Sequence, residues 1–62
     1  MKRKDLIHLL QQFGWYFKRA GGNHDIYFKD GEARPIPVKR HSEIPDYEAE
    51  AILKQAGIKY KK

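Results

Sequence analysis

The stretch from Trp15 to Val38, WYFKRAGGNHDIYFKDGEARPIPV, decides the fold of this 62-residue chain. Its apolar and polar side chains alternate in three short runs, which is the period of a β-strand. The runs are WYFKR, HDIYFK and ARPIPV, with a Gly-Gly-Asn turn after the first and an Asp-Gly turn after the second. Because Pro35 and Pro37 remove two backbone donors, the third strand is expected at an edge of the sheet.

Helical patterns flank the three strands. Residues 5–13, DLIHLLQQF, carry apolar side chains at helical spacing on Leu6, Leu9, Leu10 and Phe13. A second helix is expected from about Asp46, with its apolar positions at Ala49, Ile52, Leu53 and Ala56. Gly14 and Gly57 are placed to end the two helices in left-handed caps. The sequence therefore predicts one α+β domain over residues 1–62, in the order α-β-β-β-α, with both helices on one face of a three-stranded antiparallel sheet.

Strand alternation also predicts which aromatic side chains face the helices. Trp15 and Phe17 share a face and are expected in the core. Tyr16 and Tyr27 are expected on the opposite, open face, where a ring can stack on an RNA base. His24 alternates with Ile26, but its position at the very end of a strand allows it to turn away from the sheet.

The composition limits the classes of function. A net charge of +5 and a pI near 9.6 favour a polyanionic partner, with nucleic acid first. The chain has no cysteine, which excludes disulfides and thiolate metal sites. It has no apolar run of the roughly 18–20 residues that a membrane span needs and no signal peptide, so a cytoplasmic location is expected. The basic residues expected to form a nucleic-acid face are Lys18, Arg19, Lys29, Arg34, Lys39 and Arg40.

Among the three histidines, His24 is the candidate for chemistry. His8 lies on the helix face away from the leucines and is expected to be exposed and without a role, and no spacing suggests a zinc site. His24 follows a glycine pair, which lets a ligand approach the backbone closely. Imidazole ordinarily titrates near pH ~6.5, so it can take and return a proton near neutrality. The alternative is that His24 only caps or packs at the start of its strand.

Several motifs in this order resemble those of HicA-type toxins, the RNA-cleaving partners of HicB antitoxins. The motifs are Gly14-Trp15 after the first helix, Gly22-Asn23-His24 at a strand start, Ile36-Pro37 in the third strand, and AILKQAGI at residues 51–58. The resemblance implies a double-stranded-RNA-binding-domain-like fold and endoribonuclease activity on mRNA, with His24 as the essential residue. It also implies a HicB-type antitoxin that neutralises the toxin. The toxin is expected to be a monomer when free and to form a hetero-oligomer with the antitoxin.

One position departs from the family pattern. The family usually has a histidine soon after the third-strand proline, whereas Lys39 holds that place here and the nearest histidine is His41. His41 is therefore either an equivalent auxiliary residue or an ordinary loop residue. The general acid for the leaving oxygen stays open between His41, Lys39 and water.

The predicted mechanism is RNA cleavage with His24 as general base, without a metal or a cofactor. The residues expected to bind RNA are Lys18, Arg19, Asn23, Tyr27, Lys29, Arg34, Lys39 and Arg40. The antitoxin is expected to cover His24 and to pair acidic groups with Lys18, Arg19, Lys29 and Arg34. The alternative function is a non-catalytic double-stranded-RNA-binding module of the same fold. A DNA-binding regulator is disfavoured because neither helix carries a basic recognition face.

Overall fold

The chain runs in the predicted order of helix, three strands and helix. A computed structural model describes residues 1–59; residues 60–62, which the single-domain prediction includes, lie outside the described residues. The elements are α1 (Arg3–Gln12), β1 (Tyr16–Gly21), β2 (His24–Phe28), β3 (Ile36–Lys39) and α2 (Asp46–Gln55). The predicted α+β fold is confirmed.

The sheet is antiparallel with the order β1-β2-β3, so β2 is central and β3 lies at an edge. Gly22 and Asn23 form the two-residue connection between β1 and β2, and Gly22 has the positive φ of 62° that the first position of such a turn requires. The predicted Asp-Gly turn also forms, with Gly31 at a φ of 87°. Strand β3 begins three residues later than predicted, at Ile36. The edge position of the proline-containing strand is confirmed.

Both helices end in the same hydrogen-bonded cap. After α1, the amide of Gly14 donates to Gln11 O at 3.1 Å and the amide of Trp15 donates to Leu10 O at 3.0 Å. After α2, Gly57 and Ile58 repeat the two bonds. This is the Schellman motif, in which glycine takes the left-handed conformation and the next residue packs back on the helix. Trp15 and Ile58 are buried accordingly.

The core lies on one face of the sheet, between the strands and both helices. Its members are Leu6, Leu10, Trp15, Tyr27, Ile36, Val38, Ile44, Ala49, Ile52, Leu53, Ala56 and Ile58. Each fully buried Leu, Ile or Val contributes about 1.5–3 kcal/mol relative to an exposed position. The opposite face of the sheet is not covered by any element within residues 1–59, and this open face is where the site is found.

Three aromatic side chains lie elsewhere than predicted. Tyr27 is only 5% exposed and belongs to the core, so the prediction that it lies on the open face is wrong. Its cross-strand partners explain this, since Tyr27 pairs with the buried Ile36 on one side and with Phe17 on the other. Phe17 shares the core face as predicted, but it lies on edge strand β1 and is 52% exposed. Phe13, predicted in the core, is 47% exposed because it lies beyond the last turn of α1.

Candidate functional site

His24 lies at the start of β2, on the open face of the sheet. Because Tyr27 and Asp25 point toward the helices, strand alternation places His24 on the opposite side with Ile26. The neighbour of His24 on β1 is Gly21, and its neighbour on β3 is Lys39. Gly21 has no side chain, and a Cβ there would lie 3.1 Å from Ile26 and 3.4 Å from Nη1 of Arg19. Ile26 and the Arg19 guanidinium therefore fill the place beside His24 on β1. His24 is partly exposed.

The loop after β3 brings further polar side chains to the same end of the sheet. A small hollow there is lined by Asn23, Arg40 and His41. Asn23 directly precedes His24, and Arg40 directly follows Lys39, the cross-strand partner of His24. The fold thus gathers five of the predicted site residues, His24, Asn23, Lys39, Arg40 and His41, at one end of the sheet.

An ion-pair cluster fixes this end of the sheet from the helix side. Asp25 binds Arg3 through Oδ2 at 2.7 Å and Arg40 through Oδ1 at 3.0 Å. The Arg3 Nε also donates to the backbone oxygen of Lys39 at 2.7 Å. One carboxylate therefore holds the first turn of α1, the start of β2 and the residue after β3. We call Arg3, Asp25 and Arg40 the Asp25 cluster.

The side chain of Lys39 is also held in place. Its Nζ lies 3.1 Å from Oε1 of Glu48 in α2. Together with the bond from Arg3 to the Lys39 backbone, this ties the end of β3 to both helices. The residue opposite His24 therefore has its ammonium group held toward α2, on the helix side of the sheet.

The remaining predicted RNA-binding residues divide into two groups. Lys18 and Arg19 belong to the open face: Lys18 Nζ lies 5.7 Å from the ring centroid of Phe28, and Arg19 pairs with Ile26 next to His24. Lys29 and Arg34 follow the other end of β2, which lies roughly 13 Å from its start at about 3.3 Å per residue. The structure does not bring these two residues together with His24.

Tyr27, the other predicted contact, faces the core beside the Asp25 cluster. Burial raises the pKa of its phenol above the ordinary value of 10.0, and the negative charge of Asp25 acts in the same direction, while Arg3 opposes them. A buried ring on the helix side has no surface on which a base can stack, so the stacking role predicted for Tyr27 is not retained.

A group of basic residues around the start of α1 was not predicted from the sequence. Residues 1–3 lie against residues 42–44, through a bridge between Lys2 and Glu43 and a bond from the Arg3 amide to Ser42 O at 2.9 Å. This contact creates a cleft lined by Lys2, Arg3, Lys4, Arg40 and Ser42, which we call the N-terminal basic cleft. The run Lys2-Arg3-Lys4 was the available signal, but nothing in its spacing linked it to residue 40.

Three other observations concern residues 1–59. His8 is exposed on α1, as predicted. In this part of the chain, no group of three or more His, Cys, Asp or Glu side chains is arranged to hold a metal ion. No helix there is long and apolar enough to cross a bilayer.

Comparison with known proteins gives the family. A family model described as the HicA toxin of bacterial toxin–antitoxin systems matches residues 3–58. The chain belongs to the HicA toxin family. A solved structure described as a toxin–antitoxin complex from Streptococcus pneumoniae contains a chain similar to this HicA-family domain, with 39% identity and a TM-score of 0.82. That match covers 94% of this chain and 98% of the other. A comparison with curated proteins gave no match.

Proposed function

We propose that this HicA-family chain is an endoribonuclease that cleaves mRNA, with His24 as its general base. The observation that carries the proposal is the position of His24. It is partly exposed at the start of β2, and its β1 neighbour Gly21 leaves room for the Arg19 guanidinium, whose Nη1 lies 3.4 Å from where a Cβ would be. A histidine that only packed or capped a strand would not need a guanidinium group on its open side.

The reaction uses a nucleophile that the substrate itself carries. His24 takes the proton from a ribose 2′-hydroxyl, and the 2′-oxygen forms a bond to the adjacent phosphorus. The bond from phosphorus to the 5′-oxygen then breaks, and that oxygen receives a proton. The products are a 2′,3′-cyclic phosphate and a 5′-hydroxyl end. A site with one base, one proton donor and nearby cations is sufficient for this chemistry.

Cations beside His24 stabilise the negative charge that develops on the phosphate. Arg19 is one of them, with Nη1 3.4 Å from where a Cβ of Gly21, the β1 neighbour of His24, would lie. Lys39 lies opposite His24 on β3, and its ammonium group is held by Glu48 of α2. Preorganised charges of this kind stabilise a transition state because they need no reorganisation during the reaction. Arg40 follows Lys39 in the chain, and its guanidinium group is oriented by the carboxylate of Asp25. His41, which lines the hollow with Arg40, is the candidate proton donor for the leaving oxygen.

Cleavage of a labelled RNA tests the proposal. His24→Ala should abolish cleavage and growth inhibition while RNA binding persists. His8→Ala is the matched control, because it removes an exposed imidazole from α1 and should leave cleavage unchanged. A substrate with 2′-deoxyribose at the cut position should resist cleavage. A wild-type chain that binds RNA without cutting it would favour the alternative, a non-catalytic RNA-binding module.

Two further assays examine the mechanism. Cleavage in excess chelator should match cleavage without it, since the mechanism assigns no step to a metal; activity lost in chelator and restored by magnesium would contradict this. His41→Ala should lower the rate more at acidic than at alkaline pH if its imidazolium is the proton donor, because the protonated form is populated at low pH. An equal loss at every pH would remove His41 from that role.

The proposed partner is a HicB-type antitoxin that covers His24 from the open face. This face carries Tyr16, 41% exposed, beside Phe28, together with the cations Lys18 and Arg19. Aromatic anchors and complementary charge are features of a protein interface. His24→Ala should abolish toxicity without greatly weakening antitoxin binding, whereas Arg19→Glu should weaken it. Antitoxin-bound toxin that still cleaves RNA would contradict the covering model.

A further inference from the structure

The N-terminal basic cleft lies next to the proposed active site. Arg40 belongs both to this cleft and to the hollow it shares with Asn23 and His41. Since Arg40 follows Lys39, the cross-strand partner of His24, the two concave surfaces meet at the end of the sheet that carries the histidine. A strand of RNA at His24 therefore has a continuous path into the cleft.

The cleft has a surplus of positive charge. The side chains of Lys2 and Lys4 are exposed, and neither forms an ion pair with another of the residues 1–59. Arg3 and Arg40 share the single carboxylate of Asp25, so their group keeps one positive charge.

The environment of the cleft strengthens this charge rather than offsetting it. Glu43, which lies opposite Lys2, directs its carboxylate to the amino group of Met1 at 3.1 Å. The cleft also surrounds the first turn of α1, where the helix dipole is positive.

The lining of the cleft favours a nucleic acid over a protein. Its exposed side chains belong to lysines, an arginine and a serine, and no apolar or aromatic side chain contributes to it among the described residues. Protein interfaces are depleted in lysine and rich in aromatic residues, which here lie on the open face instead, at Tyr16 and Phe28. Lysines that neutralise phosphates are the ordinary means of binding a nucleic-acid backbone.

We propose that the N-terminal basic cleft is a second RNA-backbone subsite, which binds phosphates next to the one that is cut. Lys2 and Lys4 hold these phosphates, and Arg40 links the subsite to His24. The strand then runs from the active site toward α1, and not along β2 toward Lys29 and Arg34. This inference rests on the proposed function, because it takes RNA as the ligand of the adjacent site.

Salt-dependent binding tests the subsite. The protein is the full chain with His24→Ala, so that a fluorescently labelled single-stranded RNA stays intact, and the dissociation constant is measured by anisotropy across potassium chloride concentrations. Each phosphate contact on a single strand contributes about 0.7 to the slope of log K against log salt. Lys2→Ala/Lys4→Ala should therefore reduce the slope by about 1.4 and weaken binding about 25-fold at 0.1 M salt.

The matched control removes the same charge elsewhere. Lys54 and Lys59 are exposed in and beyond the last turn of α2, where Gln55 contacts Pro35 near the other end of the sheet. Lys54→Ala/Lys59→Ala should leave the slope unchanged. An equal effect of both double variants would overturn the subsite, because it would show a response to net charge alone. A reduced slope in Lys29→Ala/Arg34→Ala, with no change in Lys2→Ala/Lys4→Ala, would place the RNA along β2. That result would overturn the subsite as well.

Two measurements separate this inference from the proposed function. If the wild type cleaves RNA and Lys2→Ala/Lys4→Ala binds RNA normally, the subsite is overturned and the proposed nuclease function stands. If the wild type never cuts RNA but Lys2→Ala/Lys4→Ala weakens RNA binding, the subsite is supported and the proposed nuclease function is overturned. Antitoxin binding should not change in Lys2→Ala/Lys4→Ala; weakened antitoxin binding with unchanged RNA binding would show that the cleft is a protein surface.

Discussion

The Asp25 cluster gives a quantitative prediction for the stability of the site. Asp25→Asn keeps the shape of the side chain but removes the negative charge that Arg3 and Arg40 share. The Asp25 and Arg3 side chains are 21% and 23% exposed, so their pair is mostly shielded from water and contributes about 1.5 kcal/mol, at the low end for charged hydrogen bonds. The Arg40 side chain is 47% exposed, and its pair contributes about 0.5 kcal/mol, as a surface ion pair does.

The variant should therefore lower the free energy of unfolding by about 2 kcal/mol, with most of the loss on the Arg3 side. For a domain of this size, each kcal/mol corresponds to about 4–8 °C in the melting temperature. Urea unfolding is followed by the fluorescence of Trp15, the single tryptophan, which is buried in the core. Asp30→Asn is the control: Asp30 is exposed and accepts one long bond from Tyr16 at 3.4 Å, so its loss should cost less than about 0.5 kcal/mol.

Double-mutant cycles divide the loss between the two partners. Combining Asp25→Asn with Arg3→Gln should give a coupling energy of about 1–1.5 kcal/mol, and combining it with Arg40→Gln about 0.5 kcal/mol. A coupling to Arg40 that equals or exceeds the coupling to Arg3 would refute the reasoning from burial. So would an Asp25→Asn variant that unfolds at the wild-type urea concentration.

Three more predictions follow from the core and the helix ends. The folded state raises the pKa of Tyr27, so its contribution to the free energy of unfolding is fully present below about pH 10 and is lost as the pH rises through the folded-state pKa. Tyr27→Phe should flatten this alkaline fall in unfolding experiments. Leu10→Ala should cost about 2–5 kcal/mol, whereas Phe13→Ala, at a side chain 47% exposed, should cost less than about 1 kcal/mol by the same measurement. Gly57→Ala should cost about 1 kcal/mol, because its φ of 77° disfavours a side chain although a Cβ would meet no neighbouring atom; an unchanged urea midpoint would contradict this.

The fold could be predicted because its signals are local. The leucines of α1, Gly14 at its end and Trp15 as the packed residue after the cap lie within ten positions of one another, and each follows from short-range geometry. The edge position of β3 likewise follows from the missing donor of Pro37 within that strand. Such features depend little on what the rest of the chain does.

The faces of the sheet were harder to predict because both sides of β2 carry apolar side chains. Ile26 and Tyr27 are each suited to a core, and alternation alone does not say which one faces the helices. The register with β3 decides it: Ile36 and Val38 are buried, and Tyr27 pairs with Ile36. The same register puts His24 on the open face, so the misplaced tyrosine and the position of the histidine have one cause.

The electrostatic part of the site depends on contacts between distant segments. Arg3 and Asp25 are 22 residues apart, and Arg40 and Asp25 are 15 apart. No periodic pattern connects such positions, and nothing in the sequence around Asp25 indicates which cations its carboxylate binds. Lys2 and Lys4 were overlooked for the same reason, since their proximity to Arg40 exists only once residues 1–3 lie against residues 42–44.

The arrangement of the core explains why the proposed site depends on this cluster. Apolar packing holds one face of the sheet against the helices, but the end that carries His24 is joined to them by polar contacts. Arg3 donates to the Lys39 backbone oxygen, and the Lys39 ammonium donates to Glu48. Loosening these contacts releases the end of the sheet that carries His24 before it disturbs the core. Asp25→Asn should thus lower the cleavage rate even under conditions in which the chain stays fully folded, and a folded Asp25→Asn variant that cleaves RNA at the wild-type rate would show that the cluster serves stability alone.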